Sequence, residues 1–328
     1  MRRNTTIAAL LALAVLIGGC AGQEDLPAAS QAPSSQAEAL QPPRQPDSPQ
    51  ESGGTEAESE SSYAALHPYV QSLVDGVLEE IYTPGMSEYE RTKAAFDYMI
   101  EHTYLEEPIG LSLWRVHGGG EEPIPYLEQR ALSPLRFEVG MCEDYAAALT
   151  LLLRGMGLQA EYVPGLTYSV EGHLVDHAWT AVRIDGTWYH LDCQLEDNIT
   201  RHGRIRYRYF LKGDATLFAS HLWGRRLAES GLLDGQQQEA VLSQYLLPDC
   251  PQDYPQPEPG SFEETAAPDL EALRAEADAE IAAWEAENGP LPPMELNMVP
   301  PYSAWRATAP PMKGERRIRD FGERKMTG

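Results

Sequence analysis

Gly140-Met141-Cys142-Glu143-Asp144-Tyr145-Ala146, then His177-Ala178-Trp179, then Trp188-Tyr189-His190-Leu191-Asp192, bring a cysteine, a histidine and an aspartate in that order. Cys142 opens the apolar run Tyr145 to Leu153, which predicts a helix that stops at Gly155 or Gly157, where a left-handed C-cap suits glycine. The sulfur therefore sits at a helix N-terminus. There the unpaired backbone N–H groups and the positive end of the helix dipole favour thiolate over thiol, and the thiolate is the nucleophile.

The histidine and the aspartate come from a predicted β-hairpin. His177 to Ile184 and Thr187 to Cys193 are β-rich runs on either side of Asp185-Gly186, a type I′ turn signal. With those two as the central turn residues, Ile184 pairs with Thr187, Trp179 with Asp192 and His177 with Gln194. Side chains alternate faces with period two, so His177, Trp179, Asp192 and Gln194 share one face. His177 and Asp192 are then diagonal neighbours, roughly 7–8 Å apart at the backbone and within side-chain reach. The opposite face, Ala178, Thr180, Val182, Ile184, Tyr189 and Leu191, reads as core.

This pattern resembles the transglutaminase-like superfamily of papain-type cysteine enzymes. The residues that carry the resemblance are Gly140 to Ala146, Leu152 to Gly165 (with Arg154, Gly157 and Pro164), His177-Ala178-Trp179, and Gly186-Thr187-Trp188 through Asp192. Three ordered blocks are far more specific than any one of them. The resemblance implies an α+β, papain-like/transglutaminase-like core: a nucleophile helix packed on an antiparallel β-sheet, preceded by N-terminal helices. It also implies that Cys142 is the nucleophile, His177 the general base and acid, and Asp192 the residue that orients the imidazole. Many relatives follow that aspartate with a small residue and threonine, whereas Cys193-Gln194 follows here.

The chemistry expected of such a set is acyl transfer, in which the thiolate attacks an amide carbonyl and leaves a thioester. The backbone N–H of Cys142 is the natural oxyanion donor. Relatives often supply a second donor from a Gln or Trp side chain, and Trp114 is the only tryptophan ahead of Cys142. Water as the second attacker makes a protease or amidase; an amine makes a transglutaminase. The rival reading is a non-catalytic envelope binding module on the same fold. His173 and His177 are four apart, a ligand spacing that needs a helix, but Gly172 and the β-rich 175–184 argue against one. Neither a metal nor a cofactor is expected.

Arg2 and Arg3 precede a short apolar stretch, Ile7 to Ile17, that ends in Gly18-Gly19-Cys20. This reads as a secretory leader whose end resembles a bacterial lipobox, with residues 1–20 as signal and Cys20 lipidated. Ordinary cleavage that leaves Cys20 as a free thiol is the alternative. Residues 21–62 are rich in Pro, Gln, Ser, Ala and Glu without apolar periodicity, a tether that cannot bury enough surface to offset chain entropy. The expected location is extracytoplasmic, anchored to the cell membrane through lipid on Cys20.

Folded structure is expected over 63–247. Leu66, Tyr69, Val70, Leu73, Val77 and Ile81 recur at helical spacing until Pro84-Gly85, and Ser87 with Glu90 forms a capping box for a second helix ending near His102. The alternation of Arg204 to Leu211 predicts a half-buried strand, and Asp214 a short helix through His221. Residues 248–328 read as a Pro-rich, partly ordered tail with an acidic helix over Asp269 to Asn288. The chain carries 25 Lys plus Arg, two of them in the leader, against 50 Asp plus Glu, for a net charge of −25. Such a surface repels polynucleotides. The expected partner is a protein or peptide substrate, including peptide parts of the cell envelope. Lys313 to Lys325 is the one basic stretch; a solvated tail is its default reading, and contact with an anionic envelope polymer the alternative.

Overall fold

A computed structural model describes residues 64–119, 125–168, 174–199, 203–232, 248–263 and 266–292, with the isolated positions 235, 238 and 239. The leader, Cys20, the tether, His173 and the basic stretch near the C-terminus lie outside the described residues.

Helix α1 (Pro68–Ile81) has proline at its first position, where a missing N–H is harmless, and buries Val70, Val74 and Val77. Helix α2 (Glu88–His102) starts with the expected capping box. Ser87 Oγ accepts from the Glu90 N–H at 3.2 Å, and Glu90 Oε2 accepts from the Ser87 N–H at 2.8 Å. Strand β1 (Tyr104–Leu105) pairs in parallel with β2 (Val139–Gly140), and α3 (Tyr126–Phe137) lies between them in sequence. Helix α4 (Cys142–Gly155) is the centre of the fold. Every residue from Asp144 to Leu153 is buried, which is why its sequence is apolar all round. It ends where expected, with Gly157 in the left-handed region at φ 78°.

Strands β3 (Ala160–Tyr168), β4 (Leu174–Ile184), β5 (Thr187–Leu191) and β6 (His221–Leu222) form an antiparallel sheet in the order β5-β4-β3-β6. Asp185 and Gly186 both have positive φ, 48° and 82°, as a type I′ turn requires, and Ile184 pairs with Thr187 as the turn chemistry predicts. Val182, Ile184, Tyr189 and Leu191 join the core around α4, and Thr180 Oγ1 donates to the Ala146 carbonyl at 3.1 Å. The opposite face carries Trp179 and Ala181 against Val163, Leu217 and Trp223. Gly165 stands opposite His177 in this sheet, and a Cβ there would lie 2.5 Å from the Trp179 ring and 2.6 Å from the Leu222 carbonyl oxygen. Only glycine lets the indole and β6 approach β3 so closely.

Three expectations change. The second hairpin strand stops at Leu191, not Cys193, because Asp192 caps a helix, α5 (Cys193–Ile199): Asp192 Oδ1 accepts from the Leu195 N–H at 2.9 Å. Gln194 is therefore helical and does not pair with His177. The stretch 204–211 is a loop, since Tyr207 and Leu211 have φ of 57° and 52° and buried Glu196 accepts from the N–H groups of Arg206 (3.0 Å) and Tyr209 (2.8 Å). Asp214 starts only the short α6 (Asp214–Leu217), which leaves His221 free to enter the sheet.

Residues 248–263 and 266–292 also pack more closely than a tail. Gly260 and Ile205 exchange backbone hydrogen bonds, Phe262 donates to Gly203, and the Tyr254 ring stacks on Tyr89 at 5.1 Å. After α7 (Gly224–Glu229), the last described helix is α8 (Leu270–Asn288). It buries Ala277, packs Leu270, Leu273 and Ile281 on the core, and meets Arg136 through Glu276 (3.0 Å) and Glu280 (3.1 Å). Cys193 and Cys250 are both buried and free. Among the described residues no helix is long and apolar enough to cross a membrane.

Candidate active site

Cys142 is the first residue of α4 and is partly exposed. Its N–H, in the first helical turn, has no acceptor within the helix. The entry to the helix is held in place by Asp144, whose Oδ2 accepts from the Met141 N–H at 2.7 Å while Oδ1 meets Arg130 Nε at 2.8 Å. Arg130 also reaches Glu143 at 3.0 Å, so one guanidinium on α3 fixes the first turn beneath the sulfur. Burial pushes the Asp144 carboxyl up to about 7, against the pull of Arg130 and the Met141 N–H.

His177 is buried on β4, with Nε2 2.6 Å from Asp192 Oδ2. Cys142 lies near enough to favour the charged form of this ring, and Nδ1 is the nitrogen that Asp192 leaves free. Burial disfavours the charged imidazole, but Asp192, by charge and hydrogen bond, and then Cys142 outweigh it and push His177 up to about 10. Asp192 responds in the opposite direction. Burial opposes its ionisation, while His177 and His221 hold the carboxyl well below the usual carboxylate range. Cys142 and the buried His177–Asp192 pair are thus brought together.

Sequence reasoning did not single out His221. Its Nε2 lies 2.9 Å from Asp192 Oδ2, the oxygen that His177 also uses. It enters from a two-residue strand far along the chain, and only the sheet order could have revealed it. The Trp179 indole lies over His177, with ring centroids 5.9 Å apart, and donates to His190 Nδ1 at 3.0 Å. His190 Nε2 in turn lies 2.9 Å from Asp214 Oδ1. Tyr162 of β3 and Tyr126 of α3 line the side near Cys142 and Glu143, their hydroxyls 3.3 Å apart.

The Trp114 side chain is engaged by another partner. Its indole N–H donates to Glu128 at 3.1 Å, and its ring packs against His67 in the core, 5% exposed. That donor is already committed, so the resemblance to relatives with a Trp donor does not carry over to this position.

Two groups of side chains have metal-ligand proximity: His177, Asp192 and His221, and separately His190, Asp214 and Cys250. An indole N–H can only donate, so His190 Nδ1 must accept and Nε2 must keep its proton for Asp214, which leaves no lone pair for a metal. In the first group both imidazoles point an Nε2–H at the same Asp192 oxygen, so those two nitrogens carry protons in place of the lone pairs a metal needs.

Residues 76–193 match the family model described as the transglutaminase-like superfamily. No curated protein matches the chain in sequence. Among solved structures, a TGase aligns at 19% identity over 40% of this chain and 32% of that one, with a TM-score of 0.27. An arylamine N-acetyltransferase from Bacillus cereus, described with a Cys-His-Glu catalytic triad, aligns at 14% identity over 39% and 49%, TM-score 0.28. A second arylamine N-acetyltransferase, from Bacillus anthracis, aligns at 15% identity over 38% and 49%, TM-score 0.27. The chain therefore spans about a third of the TGase and about half of each acetyltransferase. The helix that Cys142 opens, the His177 strand and Asp192 all lie inside the 76–193 segment that matches the transglutaminase-like superfamily model.

Proposed function

We propose that the domain is a cysteine acyl-transfer enzyme that acts on protein or peptide amides through Cys142, His177 and Asp192. The observation that carries this reading is the buried contact of His177 with Asp192 at 2.6 Å, beside Cys142 at the start of α4. His177 Nδ1 takes the thiol proton, and the Cys142 thiolate attacks the amide carbonyl. The oxyanion forms beside the Cys142 backbone N–H at the start of α4. His177 then returns the proton to the leaving amine, and a thioester on Cys142 remains. Water or an amine, deprotonated by His177, attacks that thioester and restores the thiol.

The choice between hydrolysis and transamidation is tested by incubating the purified protein with a peptide library, with and without a primary amine, and reading products by mass spectrometry. Cleaved or deamidated peptides identify a protease or amidase, and peptides carrying the added amine identify a transglutaminase. Unchanged peptides under both conditions would count against peptide amides as the substrate.

The location proposed is outside the cytoplasm, on a lipid anchor at Cys20. The charged pair Arg2-Arg3, the apolar Ile7 to Ile17 and the Gly18-Gly19-Cys20 ending support it, as does the tether that follows. Cys20→Ser is expected to shift the protein from the membrane fraction to the soluble fraction. Retention of the variant on membranes after a salt wash would contradict the anchor.

A further inference from the structure

Asp192 Oδ2 receives two imidazoles at once, His177 at 2.6 Å and His221 at 2.9 Å, while Oδ1 takes the Leu195 N–H at 2.9 Å. The three side chains are 2%, 1% and 0% exposed in the order His177, Asp192, His221, so water does not fill in for a missing donor. We propose that His221 is a positioning residue of this site, a neutral imidazole whose Nε2–H holds the Asp192 carboxylate charged and aimed at His177. The inference rests on the acyl-transfer reading of Cys142, His177 and Asp192.

The surroundings of His221 fix its tautomer. The Asp192 carboxylate can only accept, so Nε2 carries the proton, and Nδ1 lies 2.8 Å from Ser220 Oγ, a hydroxyl able to donate there in place of its 3.4 Å contact with the Leu217 carbonyl. The titratable groups that face it are Asp192 at the end of β5, His177 on β4, His190 on β5 and Tyr209 from the preceding loop, the last with ring centroids 5.9 Å away. Burial, with the two neighbouring histidines, lowers the tendency of His221 to take a second proton, against the pull of Asp192. The backbone backs this arrangement, since His221 pairs with Thr167 in the sheet and the Trp179 indole stands edge-on to its ring at 4.8 Å. A buried carboxylate with a single imidazole partner would keep a lone pair without a donor and a looser aim. Asp192 avoids this by gaining a second charge-assisted hydrogen bond.

His221→Phe should remove that donor and His221→Gln should supply another at similar reach. The readout is the rate of Cys142 alkylation by iodoacetamide across pH, with site mapping by mass spectrometry. With Phe, Asp192 is no longer held in line with His177 and stabilises the imidazolium less, so the rise in labelling moves to higher pH and the rate near pH 6 falls roughly 10-fold to 10²-fold. With Gln, the profile returns most of the way to wild type. A Phe profile that overlays the wild-type one would overturn the positioning role while leaving the ion pair standing. A wild-type protein in which Cys142 labels no faster than Cys193 or Cys250 would instead remove the reading on which the inference rests. Imidazole ¹⁵N shifts of the wild-type protein decide the point even if His221→Phe does not fold. A neutral His221 protonated at Nε2 is expected between pH 6 and 8, and a doubly protonated or Nδ1–H ring would overturn the proposal.

Discussion

Cys142→Ala is expected to lower acyl-transfer turnover by roughly 10³-fold to 10⁶-fold, because no other group in the site can form the thioester. The fold should be unaffected. Cys142 is only partly buried at the first position of α4, alanine is a good helix former, and the cap on this helix is built by Asp144 and Met141. Circular dichroism and the urea midpoint should therefore match wild type while product formation vanishes. Cys193 and Cys250 differ: both are wholly enclosed and remote from His177 in their contacts, Cys193 Sγ facing the Tyr145 carbonyl and Cys250 Sγ the Pro248 carbonyl. Loss of turnover in Cys193→Ala or Cys250→Ala, with Cys142→Ala still active, would refute the assignment.

Asp192→Asn should cut turnover by about 10²-fold to 10⁴-fold, since an amide can favour the wrong imidazole tautomer and offers no charge to the imidazolium. The structure adds a cost that the hairpin alone does not suggest. The carboxylate accepts from three donors, the two imidazole Nε2–H groups on one oxygen and the Leu195 N–H on the other. An asparagine has one oxygen and one NH₂, so in either orientation the NH₂ meets an N–H that had an acceptor. The variant is therefore expected to lose about 1–3 kcal/mol of stability as well. Asp197→Asn is the control. Asp197 serves the Tyr145 hydroxyl at 2.9 Å and touches neither histidine, so its turnover should stay within a few-fold of wild type. An active Asp192→Asn beside an inactive Asp197→Asn would break the triad assignment.

The same buried charges set the pH range in which the fold is held. Asp192 is depressed, so the stability it contributes is present above its ordinary 3.8 and is lost as pH falls through its lower folded value. His177 is raised, so its contribution is complete below 6.5 and is lost as pH rises towards about 10. Between those limits the His177–Asp192 pair supports folding.

Whatever rested on local chemistry could be read from the sequence. Ser87 and Glu90 announce their cap, Asp185-Gly186 dictates a type I′ turn, and that turn alone aligns Ile184 with Thr187 and brings His177 and Asp192 to one face. The apolar run after Cys142 likewise places the sulfur at a helix N-terminus. What escaped was set by tertiary partners. Asp192 looks like a strand residue until its carboxylate is seen capping α5, and Arg204 to Leu211 alternates like a strand although Glu196 gathers its N–H groups into a loop. Trp114 answers to Glu128, a buried carboxylate whose role has no local sign. His221 belongs to the site through its pairing with β3, and nothing in Ser220-His221-Leu222 marks it as a member. The docking of 248–263 and of α8 depends on backbone exchanges and on Arg136, which composition cannot show.

The central claim, that Cys142 and His177 form a thiolate–imidazolium pair, is tested most directly by mapping the alkylation of the folded protein near pH 6, in wild type and in His177→Ala. The pair predicts that iodoacetamide modifies Cys142 well ahead of Cys193 and Cys250, and that His177→Ala slows this labelling sharply. Equal labelling of the three cysteines after correction for exposure, or Cys142 labelling that His177→Ala leaves unchanged, would contradict the ion pair and favour a non-catalytic module on this fold.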